Sequence, residues 1–232
     1  RIVGVRYEIN NRYNINTTPY VFAEDVSMPL LTYLMEQDIP GFELSSSYVR
    51  EYKTQYAAHL LGYTGKLTAE EWATYAGKDY SLDAYVGKDG VEYAFEEYLH
   101  GVDGKRLITT DENGKLTGEL YTREPQPGGT VALTLDIDLQ ADVEQALANT
   151  ISGMIDKDSN ERGGAAAVVA VGSGEVLALA SYPSYDLSTF NRDYGQLSND
   201  EALPLYNRAL YGLYAPGSTF KPAVAVAALD SG

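Results

Sequence analysis

Ser218-Thr219-Phe220-Lys221 is a Ser-x-x-Lys sequence, the pattern in this chain best suited to chemistry. On a helix, residues three apart share a face, so the hydroxyl and the amine can meet. A lysine that has lost its proton can take one from the serine and leave an activated nucleophile. Ala215-Pro216-Gly217 makes a tight entry that puts Ser218 in the first helical turn, where the positive end of the helix dipole favours a developing oxyanion. Pro222 removes a backbone bond to the Ser218 carbonyl and predicts a distorted first turn. Ser-x-x-Lys alone is a common chance match, and a surface lysine beside a capping serine is its ordinary explanation.

Other chemistries fit less well. The chain has no cysteine, which excludes disulfides, thiolate metal sites and cysteine nucleophiles. His59 and His100 are its only histidines, too few for a histidine-rich zinc site. His59, beside Leu60-Leu61, reads as a packed structural residue. Gly87-Lys88-Asp89-Gly90 lacks the Ser/Thr after lysine of a phosphate-binding loop and reads as a helix entry. Glu70-Glu71 and Glu96-Glu97 are adjacent pairs and so do not face each other as glycosidase carboxylates would; they read as solvated helix surface. Asp136 and Asp138 read as helix-start charges rather than metal ligands. The 20 tyrosines are scattered and suit core edges and interfaces.

The elements that must position these residues follow from periodicity. Arg1 to Ile9 alternates like a strand, and Tyr20 to Ala23 reads as another. Ser27 caps a helix ending near Gln37, and Phe42 to Tyr52 reads as extended. Gln55 to Leu61 is a short helix stopped by Gly62, and Thr68 with Glu71 forms a capping box. Val91 to His100 is a helix closed by Gly101. Asn113-Gly114 joins two strands as a hairpin. Thr130 to Leu135 is a strand, and Asp136 to Ile155 carries the strongest helical spacing. Ala165 to Val171 and Glu175 to Ser181 form a second hairpin. Both arms are apolar throughout, which predicts a sheet covered on both faces. Ser218 to Leu229 is an apolar helix. The polar stretch 156–164 is the expected domain boundary.

With 17 basic and 33 acidic residues, the chain carries a net charge of −16. Nucleic acid and anionic lipid would repel it. Its apolar fraction of 44% suits a folded core. Ala165 to Val171 is far too short to span a membrane. Either the protein is soluble in its own right or a membrane anchor lies upstream.

The stretch from Tyr206-Asn207-Arg208-Ala209-Leu210 through Ala215-Pro216-Gly217-Ser218-Thr219-Phe220-Lys221-Pro222 resembles the nucleophile motif of penicillin-binding proteins. Gly163 to Pro183 resembles the first strand pair of their transpeptidase domain. Arg50-Glu51-Tyr52, residues 57–65, Gly87 to Glu92 and Leu133 to Gln140 resemble the dimerisation, or pedestal, module of class B members. The nearest subgroup is the elongation type. The resemblance keeps its order over nearly the whole chain.

It implies an α+β fold: residues 1–156 as an elongated pedestal of short helices and hairpins, and 163–232 as the truncated start of an α/β transpeptidase domain. It also implies peptidoglycan D,D-transpeptidation through a serine acyl-enzyme, with Ser218 as nucleophile, Lys221 as general base and the Ser218 N–H as an oxyanion donor. Stem peptides and β-lactams are the implied partners, with a membrane glycan polymerase as a further one. No metal or organic cofactor is implied. The implied location is the extracytoplasmic face of the cell membrane, through an anchor outside this chain. The family's later Ser-x-Asn and Lys-Ser/Thr-Gly motifs do not follow before Gly232, so the chain alone is expected to be inactive. Two other readings stay open: a non-catalytic module that docks a cell-wall synthesis partner, and a β-lactamase or β-lactam sensor. The long upstream module argues against the hydrolase.

Overall fold

Val5 and Ile9, four residues apart, are the half-buried positions of the first described segment, and that spacing is helical. The segment forms helix α1 (Ile2–Asn11) rather than the strand its alternation predicts. The computed structural model describes residues 2–11, 20–23, 26–37, 39, 42, 44, 50–81, 84–112, 116–154 and 163–231. It forms two compact units: residues 1–48 with 106–120, and residues 49–105 with 121–232.

In the first unit, Tyr20 to Ala23 forms no strand. Helix α2 (Met28–Glu36) starts as its sequence dictates. Ser27 holds an extended backbone and accepts from Leu31 N–H at 3.0 Å, while Pro29 occupies the first turn. Most of Phe42 to Tyr52, along with Asn113-Gly114, lies outside the described residues.

The second unit opens on α3 (Ala58–Leu61), a single turn entered through Ala57 at φ +61° and ended by Gly62 at φ +76°. Strand β1 (Thr64–Lys66) then pairs antiparallel with β2 (Tyr85–Gly87). Between them lies α4 (Trp72–Tyr75), preceded by the capping box: Thr68 N–H donates to Glu71 Oε2 at 2.9 Å, and Glu71 N–H to Thr68 Oγ1 at 3.3 Å. Helices α5 (Gly90–Ala94) and α6 (Glu96–Leu99) follow, and Asp89 caps α5 by accepting from Gly90 N–H at 2.8 Å. Strands β3 (Lys105–Thr110) and β4 (Leu116–Arg123), most of whose residues belong to the first unit, pair as the hairpin pattern predicts.

Thr130 to Leu135 is not a strand. It meets the later hairpin through one side chain, Thr134 Oγ1 to Val176 O at 2.7 Å, and the next N–H bond belongs to Asp136, so no ladder forms. Helix α7 (Ile137–Met154) starts with Asp136 Oδ1 accepting from Asp138 and Leu139 N–H, both at 3.1 Å, which is the helix-start role read for it. Strands β5 (Gly164–Val169) and β6 (Val176–Tyr182) pair antiparallel, with a register shift at Val168/Val169. Helix α7 packs on one face of this pair. Along β5, Gly164, Ala166 and Val168 are half-buried while Ala165, Ala167 and Val169 are exposed. On β6, Leu177 and Leu179 are half-buried and Ala178, Ala180 and Ser181 are buried, so β6 is covered on both faces as expected, whereas β5 has one face exposed.

Helices α8 (Phe190–Leu197) and α9 (Arg208–Tyr211), a 3-10 turn (Gly217–Phe220) and α10 (Lys221–Ser231) complete the chain. The core of this unit joins its early and late segments. Ala58 of α3 is buried with Tyr185, Leu187 and Phe190, and the Tyr63 and Phe190 rings lie 4.1 Å apart.

Gln140 locks α7 to β6. It is completely buried, its Nε2 donates to Leu179 O at 2.9 Å and to Glu144 Oε1 at 2.7 Å, and its Oε1 accepts from Leu179 N–H at 2.7 Å. Replacing it with leucine strands both backbone groups of Leu179 inside the protein, at about 1–3 kcal/mol each. Gln140→Leu is expected to lower the thermal midpoint by about 5–10 °C in a calorimetric scan. A change within about 1 °C would mean that the amide is dispensable.

Candidate active site

Gly217, at φ +54°, turns the chain into the 3-10 turn that carries Ser218. Thr219 N–H donates to Pro216 O at 3.2 Å, and Thr219 Oγ1 to the same oxygen at 2.5 Å. Lys221 closes the turn by donating its N–H to Ser218 O, and α10 then begins. The distorted first turn expected from Pro222 is this 3-10 geometry. In such a turn residues i and i+3 eclipse, which places Ser218 and Lys221 on one side. Both are exposed, α10 has no buried residue, and among the described residues no hydrogen bond joins the Ser218 hydroxyl to the Lys221 amine.

The segment leading to the turn is held firmly. Asn207 is buried: its Oδ1 caps α9 by accepting from Leu210 N–H at 3.1 Å, and its Nδ2 donates to His59 O at 3.1 Å. Arg208 clasps the preceding loop, donating to Leu203 O at 2.8 Å and Ala202 O at 2.6 Å. Ser181 of β6 accepts from Ala209 N–H at 3.1 Å. The resemblance marked residues 206–210, but only the folded chain reveals the two distant bonds, Asn207 to the His59 carbonyl and Ala209 N–H to the Ser181 hydroxyl, whose partners lie 148 and 28 residues away.

The other sequence candidates take structural roles. His59 is buried, its Nε2 lies 2.6 Å from Pro204 O, and its ring meets Tyr185 edge-on at 5.0 Å. Gly87 to Gly90 is a helix entry. Arg50 pairs with Glu92 at 2.9 Å, and Lys88 pairs with Glu71. Glu97 is exposed as expected, but Glu96 departs from the solvated reading. It is buried, accepts from Gly87 N–H at 2.7 Å and pairs with His100 Nδ1 at 3.0 Å. Burial pushes the Glu96 carboxyl up, but the His100 and Gly87 bonds outweigh it and hold the group below the usual carboxylate range. Among the described residues no acidic or histidine cluster could hold a metal ion, and no helix is long and apolar enough to cross a membrane.

Burial holds the His59 pKa below the usual 6.5, although the bond to Pro204 O works the other way. The unfolded chain therefore takes up this proton first as pH falls. Stability from the neutral ring is complete above pH 6.5 and is lost below it toward the folded value, at no more than about 1.4 kcal/mol per pH unit. Urea titrations at pH 7, 6 and 5 are expected to show a shallower loss for His59→Gln than for the wild type. Equal slopes would remove His59 from the pH dependence.

Residues 5–133 match the Penicillin-binding Protein dimerisation domain family, and residues 164–232 match the Penicillin binding protein transpeptidase domain. The chain belongs to the penicillin-binding protein family. It is 35% identical over 226 residues to the peptidoglycan D,D-transpeptidase MrdA of Escherichia coli K12, covering 89% of this chain and 34% of that protein. The chain thus spans about a third of that curated relative's length. A structure of Pseudomonas aeruginosa PBP2 in complex with WCK 5153 shares 36% identity at a TM-score of 0.62, covering 82% of this chain and 37% of that one. A structure of a peptidoglycan synthase complex shares 30% identity at a TM-score of 0.66, covering all of this chain and 42% of that one. The mixed helix and sheet architecture agrees with the α+β class read from the sequence.

Proposed function

We propose that this chain is the opening part of a bacterial peptidoglycan D,D-transpeptidase, with residues 1–156 as its pedestal and 163–232 as the start of its catalytic domain. The observation that carries the reading is the Gly217–Phe220 turn, which sets Ser218 and Lys221 on one side inside a segment matching the transpeptidase domain. The Ser218 oxygen attacks the carbonyl between the two terminal D-alanines of a stem peptide while Lys221 takes the hydroxyl proton. The Ser218 N–H faces the developing oxyanion. The C–N bond breaks, D-alanine leaves with a proton, and the acyl group passes from Ser218 to an amine on a neighbouring strand. β-Lactams enter by the same attack and remain as acyl adducts. The protein works at the extracytoplasmic face of the cell membrane, held by an anchor outside residues 1–232.

The test is labelling of the full-length protein with a fluorescent penicillin. Wild-type protein is expected to retain the label through denaturing electrophoresis, and Ser218→Ala to retain none. Equal labelling of the two would refute the assignment.

A second reading gives residues 1–156 a docking role alongside catalysis. It is favoured by a structural relative from Helicobacter pylori, a PBP2 in complex with MreC, 27% identical at a TM-score of 0.59. A membrane glycan polymerase is the other partner class, suggested by the similarity to a synthase complex that couples polymerization and crosslinking.

A further inference from the structure

From Leu213 to Ser231 no residue is buried, so the last anchored point before Ser218 is the stretch around Asn207. One amide there touches three elements. Asn207 Oδ1 caps α9 and lies 3.4 Å from the Ser181 hydroxyl of β6, and its Nδ2 reaches the His59 carbonyl of α3. The receiving surface is itself fixed. Ala57 N–H donates to Glu144 Oε1 at 2.7 Å, Glu144 holds Gln140, and Gln140 holds β6. His59 Nε2 also bonds Pro204 O, just ahead of Asn207. The start of α9 is thus clamped between the late strand pair and the early turn α3, and the chain leaves this clamp directly for the nucleophile turn.

We infer that Asn207 is a positioning residue for Ser218: its bond to the His59 carbonyl sets where the nucleophile turn begins. This rests on Ser218 being the nucleophile. A cap alone would need only the side-chain oxygen, which serine supplies equally well. The Nδ2 donor is what ties α9 to α3, and serine is too short to replace it.

The test uses full-length protein and a chromogenic β-lactam, separating the acylation rate constant from the affinity of the first complex. Asn207→Ser is expected to slow acylation by about tenfold to a hundredfold, since a misplacement near 1 Å costs about that much. The affinity of the first complex should change by less than about twofold. Ser181→Ala, a milder change to the same clamp, is expected to slow acylation several-fold with a thermal midpoint near that of the wild type, and it decides the matter alone if Asn207→Ser does not fold. Wild-type acylation in every variant that folds overturns the inference, as does a loss confined to affinity. Ser218→Ala runs in parallel: labelling there would sink the nucleophile assignment, whereas loss there with wild-type Asn207→Ser would sink only the positioning role.

Discussion

Gly62→Ala is expected to unfold the unit built on α3. Gly62 sits at φ +76°, and a Cβ there would lie 1.8 Å from Asp89 O and 2.4 Å from its carbonyl carbon. Both are backbone atoms, so no side chain can swing aside. Gly90 meets the same junction from the other side, where a Cβ would lie 2.4 Å from Leu60 O. This close approach seats α3 on the entry to α5, and α3 in turn supplies Ala58 to the core. A loss above about 4 kcal/mol is expected, a size seen only when core geometry is broken. Gly77→Ala is the control: its φ is +88°, yet nothing lies within 4 Å of the added carbon. It should cost about 1–2 kcal/mol, the strain of a left-handed residue alone. Chemical denaturation of both variants measures the difference, and similar losses would show that the close approach at Gly62 is immaterial.

The second large effect is chemical. In the full-length protein, Lys221→Ala is expected to slow penicillin acylation by about 10²–10⁴, the usual contribution of a positioned base. The thermal midpoint should hardly move, because Lys221 is exposed and touches no core residue. Stopped-flow acylation alongside a melting curve separates the two. A rate within a few-fold of the wild type would remove Lys221 from the mechanism.

Much of this architecture was legible because its signals are local. The Thr68–Glu71 capping box, the Asp136 helix start and the helical spacing of 137–154 each depend on residues within a few positions of one another. The same locality misled at the amino terminus, where β-branched alternation over Ile2, Val3 and Val5 mimicked a strand while the half-buried pair stood four residues apart. It also misled at 130–135, where a strand-like composition contributes isolated bonds rather than a ladder. The open face of β5 could not be read from apolar content alone, because an alanine-rich arm looks the same whether or not an element covers it.

The candidate site divides along the same line. Ser218 and Lys221 were visible as a spacing, and the 3-10 turn was foreshadowed by Gly217 and Pro222. Gln140, Glu144, Asn207 and Glu96 were not visible as structural centres. Their partners are the Leu179 backbone, the Ala57 N–H, the His59 carbonyl and the Gly87 N–H, and a backbone group leaves no mark on sequence. The available hint was the resemblance, whose motifs include Gln140 and Asn207, but a motif does not show which backbone groups the donor and acceptor of a buried amide meet.

The central claim is that Ser218 carries the acyl group during D,D-transpeptidation. The most direct test is to incubate full-length protein with a stem peptide ending in D-alanyl-D-alanine, trap the intermediate in acid and map the modified peptide by mass spectrometry. The account predicts one acyl group on Ser218 and one D-alanine released for each serine acylated. An acyl group on another residue, or D-alanine release that persists in Ser218→Ala, would contradict it.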